Sequence, residues 1–265
     1  MADTLESTVS YEYFCDGQRE PIDERVLVLR DDEDDSVRVI GSRVAYGAEL
    51  RVAVAYGSHE PQASSADRAV VVSLEWIPDV DAGVVSRSAE YVLAGRTLIV
   101  DVAGGHDSTA GDPAQGDVST LPQGAQLFPL LRVFSGPVVM ACSAASGAGG
   151  AGGAGGAGGA GSTVVVPDVR DPSQVDRLLT PLTEVRTATD VGTEGVVVER
   201  TDSADEVEQA TVFRYFGGSY TDEGAEVVVD AGGLLRRYAW DQPGAGHWDV
   251  RLAEVTGQWP RPSTW

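Results

Sequence analysis

The segments Glu49-Leu50-Arg51-Val52-Ala53-Val54 and His247-Trp248-Asp249-Val250-Arg251-Leu252 alternate polar and apolar side chains with a period of two, at opposite ends of the chain. Alternation of that kind puts one set of side chains on a core and the other in water, the pattern of an antiparallel sheet with one solvated face. Short Val-rich runs bounded by turn residues recur about fifteen times along the chain, from 9–14 to 247–255. The feature that most constrains this fold is therefore an excess of half-buried strands. No alternation of strand and helix is present, which argues against a doubly wound architecture.

The connections read as hairpins. The acidic turn DDEDD at 31–35 separates ERVLVLR (24–30) from SVRVIGSRVAY (36–46), and Ala94-Gly95 separates two further strands. Asp230-Ala231-Gly232-Gly233 and Asp241 to Gly246 divide the last third into a meander of strands at 210–216, 225–231, 234–240 and 247–255. Two short helices are expected. One spans 129–135 in FPLLRVFSG, with Leu127, Leu130, Leu131 and Phe134 on one face and Gly136 as its stop. The other lies in DPSQVDRLLTPL, where Asp171 is placed to cap and Pro172 to open it.

The tract 146–162, SGAGGAGGAGGAGGAGS, carries no core-forming side chain. Its flanks, GPVVMAC (136–142) and TVVVPDV (163–169), both read as apolar strands, whereas a domain linker falls where one core has closed. The expectation is a single domain over 1–265, interrupted by a flexible loop at 146–162. The alternative is two domains, 1–146 and 163–265. A second low-complexity stretch, 104–124, is also expected to be disordered.

The net charge is −22, and every one of the 19 basic residues is Arg. Such a surface repels nucleic acid and anionic membranes, which removes both as partners. Two explanations compete for this acidic, lysine-free composition: a salt-rich cytoplasm, which keeps an acidic surface hydrated, and a high-GC genome. No apolar run is long enough for a membrane helix, and the amino-terminal residues lack the pattern of a signal peptide, so a cytoplasmic location without membrane insertion is expected. Cys15 and Cys142 sit in apolar contexts and are expected to be buried, reduced thiols.

Few motifs point to chemistry. His59, His106 and His247 lie in or beside loops, none with a second His or a Cys at metal-ligand spacing. Asp79, Asp81 and Glu90 fall at calcium-loop spacing, but the ligand expected at position five, the Gly at position six and flanking helices are lacking. There is no nucleophile elbow, P-loop or dinucleotide fingerprint, and His106-Asp107-Ser108 are mere neighbours in a loop. Neither a cofactor, a metal nor a catalytic residue is therefore assigned. The aromatic residues Phe213, Tyr215, Tyr238, Trp240 and Trp248 concentrate in the last meander. They are candidates either for lining an apolar ligand cavity or for ordinary packing against the 129–135 helix.

The segments Tyr11-Glu12-Tyr13-Phe14-Cys15-Asp16-Gly17-Gln18 and Val228 to Tyr238 (VVDAGGLLRRY) resemble parts of bacterial β-roll proteins. Those families are the glycolipid-binding group and, more distantly, the lipoprotein-localisation factors. The resemblance implies a long bent antiparallel sheet forming a half-barrel, an apolar cavity, and short helices, here FPLLRVFSG and DPSQVDRLLTPL, plugging its open side. The expected class is thus mainly β: one large antiparallel sheet curled into a β-roll or half-barrel with two short plug-like helices. Three functions remain in play. They are a non-enzymatic binder of an apolar or glycolipid-like small molecule, a structural or partner-binding protein, and an enzyme built on a β-barrel scaffold.

Overall fold

The computed structural model describes residues 3–31, 36–56, 69–79, 86–103, 117–122, 124–147, 164–168, 185–188, 210–215 and 224–260. The class is mainly β. A 13-stranded antiparallel sheet has the order β11-β12-β13-β14-β15-β1-β2-β3-β4-β5-β6-β7-β8. Its first half is a meander: β1 (Asp3–Cys15), β2 (Gln18–Asp31), β3 (Val37–Ala45), β4 (Ala48–Tyr56), β5 (Ala69–Ile77), β6 (Arg87–Ala94), β7 (Thr97–Ala103) and β8 (Asp117–Thr120). After the two-residue strands β9 (Gln126–Leu127) and β10 (Val164–Val165), the chain rejoins the sheet with β11 (Val185–Ala188) and β12 (Ala210–Tyr215). It then finishes the second meander with β13 (Ala225–Asp230), β14 (Leu235–Gln242) and β15 (Gly246–Gly257).

The terminal strands meet in the middle. β1 pairs with β15 from Ser7↔Gly257 to Cys15↔Trp248, so one sheet takes strands from both sides of the Gly-Ala tract. The order ends at β8 and β11, and among the described residues the sheet does not close on itself. The turn chemistry is as expected. Gly95 (φ +57°), Gly233 (φ +84°), Gly244 (φ +75°) and Gly246 (φ +92°) supply the left-handed backbone that the hairpins need. Asp230 Oδ1 accepts the Leu234 N–H at 2.9 Å, closing the β13–β14 turn.

The alternation divides the two faces cleanly. Val26 and Val28 on β2, Val37 and Val39 on β3, Val52 and Val54 on β4, Val72 and Leu74 on β5, and Tyr91 on β6 are almost fully buried on the core face. Their sequence neighbours Leu27 and Ile40 point the other way and stay substantially exposed. The core face is covered by the segment that crosses it after β9. There Leu130, Leu131, Val133 and Phe134 are all buried.

Three local readings are corrected here. Residues 129–135 do not form the expected helix. They bend at Leu130 and Leu131 and then make a 3-10 turn, Arg132–Phe134, and the helix begins only at Ser135. GPVVMAC is not a strand: it lies in α1, Ser135–Gly147, so the Gly-Ala tract is entered from a helix. A continuous apolar run has the same appearance in a buried helix as in a buried strand, and here tertiary contact decides. A Cβ on Gly136 would stand 2.3 Å from the Gly233 carbonyl oxygen, so the glycine lets the first turn of α1 abut the β13–β14 hairpin instead of ending a helix. Finally, part of 104–124 is ordered as β8, which pairs with β7 from Thr97↔Thr120 to Val100↔Asp117. The second expected helix, 171–182, and the strand expected at 195–201 lie outside the described residues. Among the described residues, no helix is long and apolar enough to cross a membrane.

Candidate functional site

On the core face, register assembles the aromatic meander. Phe213, Val227, Tyr238, Val250 and Tyr13 are successive partners across β12, β13, β14, β15 and β1. Trp240 is paired directly with Trp248, and their rings stack at 5.9 Å with planes 10° apart; Tyr238 meets Trp240 edge-on at 5.3 Å. Phe213, Tyr238 and Trp240 are buried and Trp248 is half-buried. Tyr215 lies on β12, but its side chain is outside the described residues. The Arg132 guanidinium sits above this cluster, 4.4 Å from the Tyr238 ring centre and 4.8 Å from that of Trp240. The arrangement is a cation–π cap from the crossing segment.

The same segment is tied down by a buried acid that no sequence motif marks. Glu24 has no exposed surface. Its Oε2 accepts the Tyr13 hydroxyl at 2.5 Å, and its Oε1 accepts the Arg132 backbone N–H at 2.7 Å. Arg43 Nη1 donates to the Leu130 carbonyl at 3.2 Å. Burial pushes the Glu24 carboxyl above its usual range, against the pull of Arg43, the Tyr13 hydroxyl and Arg132. Burial, followed by the charge of Glu24, pushes the Tyr13 phenol far up as well. Leu130 adopts φ +69°, and the Leu131 N–H bonds to the Pro129 carbonyl at 3.0 Å. That is a γ-turn in an unfavourable conformation, held because its neighbours over-determine it. Leu131 then seats against Gly41, where a Cβ would lie 2.7 Å from the Leu131 side chain. Glu24 is in phase with Val26 and Val28, so its position among core residues was legible in ERVLVLR. Its partners, 108 residues away in the case of Arg132, were not.

The opposite face carries an open groove of about 850 Å³ running from β2 to β7. Its axis is a single cross-strand row, Leu27↔Ile40↔Ala53↔Ser73↔Glu90↔Asp101. The row begins apolar, passes through a hydroxyl and ends in two carboxylates. A second row, Arg25↔Ser42↔Arg51↔Glu75↔Ser88, flanks it on one side. On the other side runs Ala55↔Val71↔Val92↔Ile99↔Val118. Leu27 is 42% and Ile40 37% exposed. The sequence signal for the groove was the presence of large apolar residues at the outward positions of β2 and β3.

Among the candidate histidines, His247 lies at the β14–β15 turn, with its N–H on Asp16 and its Nδ1 2.8 Å from Asp241. His59 and His106 are outside the described residues. Both cysteines are free, but Cys15 is only half-buried, because it stands at the β1 end where its thiol reaches the Ala245 carbonyl. Among the described residues, no three His, Cys, Asp or Glu side chains are grouped to hold a metal ion.

No protein-family model matches the chain, and neither does any curated protein. Among solved structures, a β-barrel-like protein of domain of unknown function DUF1849 from Brucella abortus aligns with a TM-score of 0.42. The alignment has 9% identity and covers 97% of this chain and 100% of that one.

Proposed function

We propose that this protein is a non-catalytic binder of an amphipathic small molecule, which lies in the groove of a sheet curled as a roll. One observation carries the reading. The row from Leu27 to Asp101 offers an apolar floor at one end and hydrogen-bonding groups at the other, within one groove. Ligand sites combine apolar lining with a few polar groups that fix orientation. Leu27 and Ile40 contribute nothing to the core from where they stand, so ligand contact gives their exposure a role. The core-face aromatics are occupied by Arg132 and by one another. Glu24 has both carboxylate oxygens engaged and no exposed surface, an arrangement suited to fixing the crossing segment.

The test is native mass spectrometry of the purified full chain, with solvent extraction of any adduct. The double variant Leu27→Asp/Ile40→Asp serves as its control. An extractable amphiphile on the wild type, absent from a variant that melts within a few degrees of it, is the expected result. A wild type that carries no adduct and takes up no added alkyl maltoside overturns the proposal.

A further inference from the structure

The charge along the groove identifies the head group, given that the groove is a ligand site. Arg51 is shared by two carboxylates, with Nη2 at 2.9 Å from Glu49 and Nη1 at 3.4 Å from Glu75. Arg25 is engaged by Asp23 at 3.1 Å. Glu90 and Asp101 are different. They stand directly opposite one another on β6 and β7. Ser73 Oγ lies 3.4 Å from Glu90, and no ion pair reaches either carboxylate among the described residues. The groove thus sets Glu49, Glu75, Glu90 and Asp101 against Arg25 and Arg51, an excess of negative charge concentrated at its β6–β7 end. Like charges directly opposite across an antiparallel pair destabilise a sheet. The chain therefore keeps at the polar end of the groove an arrangement that works against its own folding.

We infer that the ligand is an amphiphile with a cationic head group, an ammonium or a guanidinium, seated between Glu90 and Asp101 with its alkyl chain over Ala53, Ile40 and Leu27. The argument is charge complementarity at one end and apolar contact at the other. Strands lie about 4.8 Å apart, so Ala53 is about 12 Å from the midpoint of the carboxylate pair. A medium-length alkyl chain bridges the two ends. An anionic head is repelled by the pair, and a neutral sugar head leaves it uncompensated.

The experiment is calorimetric titration of the full chain with decyltrimethylammonium, decyl maltoside and decanoate, each below its micelle concentration. The ammonium compound is expected to bind about ten-fold or more tightly than the maltoside, and decanoate not measurably. Glu90→Gln/Asp101→Asn is expected to abolish that preference while leaving maltoside binding unchanged. Asp241→Asn/Glu254→Gln, which makes the same charge change outside the groove, is expected to preserve it. Leu27→Asp/Ile40→Asp is expected to weaken both the ammonium and the maltoside. Equal affinity for ammonium and maltoside, both lost in the apolar-floor variant, overturns the cationic head but keeps the groove. An ammonium preference lost equally in the control pair overturns it as general attraction to an acidic protein. Tight decanoate binding overturns it outright. No binding of any compound overturns the groove reading itself.

Discussion

Glu24, on β2, ties β1 to the segment that crosses the core face. A fully buried carboxylate is costly unless its oxygens are bonded, and here a phenol and a backbone amide do the bonding. Its raised pKa has a thermodynamic sign. The carboxyl is pushed above its usual 4.5, chiefly by burial, so between that value and its folded pKa the native state holds a proton that the unfolded chain has released. Stability from this group is therefore present at low pH and is lost as pH rises through the folded value. Glu24→Gln keeps an acceptor for the Arg132 N–H but has no charge to bury. Thermal melts are expected to show the wild type losing stability relative to Glu24→Gln as pH climbs above 4.5; parallel melting curves would count against this account. Glu24→Ala leaves the amide and the phenol without their acceptor and is expected to cost about 1–3 kcal/mol at low pH, a margin that narrows as pH rises through the folded value of Glu24. The residue was visible in the sequence as an acid in phase with Val26 and Val28. Its role was not, because its partners come from β1 and from a segment more than a hundred residues downstream.

At the scale of elements, the sheet holds charge in two contrasting ways. On β13, β14 and β15, Asp249 is almost fully buried. Burial alone would raise its pKa, but hydrogen bonds from Arg237 and Arg251 at 2.7–2.9 Å outweigh that and hold it below its usual 3.8. This acid supports the fold at neutral pH and ceases to do so as pH falls through its depressed value. On β6 and β7, Glu90 and Asp101 have no such counter-ions among the described residues. Glu90→Thr places a β-branched side chain beside Ser73 and removes the like-charge pair. It is expected to raise stability by roughly 0.2–1 kcal/mol, read as an upward shift in denaturation midpoint at low salt. A drop in midpoint would show that the pair is not a strained one. Helix α1 teaches a different lesson. Val138 and Val139 have strand propensity, yet they belong to a helix, whose first turn Gly136 lets approach the hairpin after β13 closely.

For the whole molecule, the central fact is that the first and last strands are neighbours. Nine register pairs join β1 to β15, so the parts on either side of 146–162 complete one sheet. The excess charge acts on this sheet as a whole. With a net charge of −22, self-repulsion opposes the compact state, and screening to about 3 Å at 1 M salt removes most of it. The melting temperature is therefore expected to rise by several degrees between dilute buffer and 2 M KCl. A flat or falling response would separate the acidic composition from any adaptation to salt.

Many strand positions, the hairpin turns and the antiparallel class were determined by the sequence itself, because alternation and turn residues act over a few positions and each run carries its own signal. The structure alone decided what crosses those positions. Whether 136–142 is strand or helix depended on a glycine meeting a hairpin about a hundred residues away. That Arg132 lies over the Tyr238 and Trp240 rings depended on where the crossing segment runs. The groove exists only as a row of side chains from six strands, aligned by hydrogen-bond register. Register is a relation between segments, and no single segment encodes it.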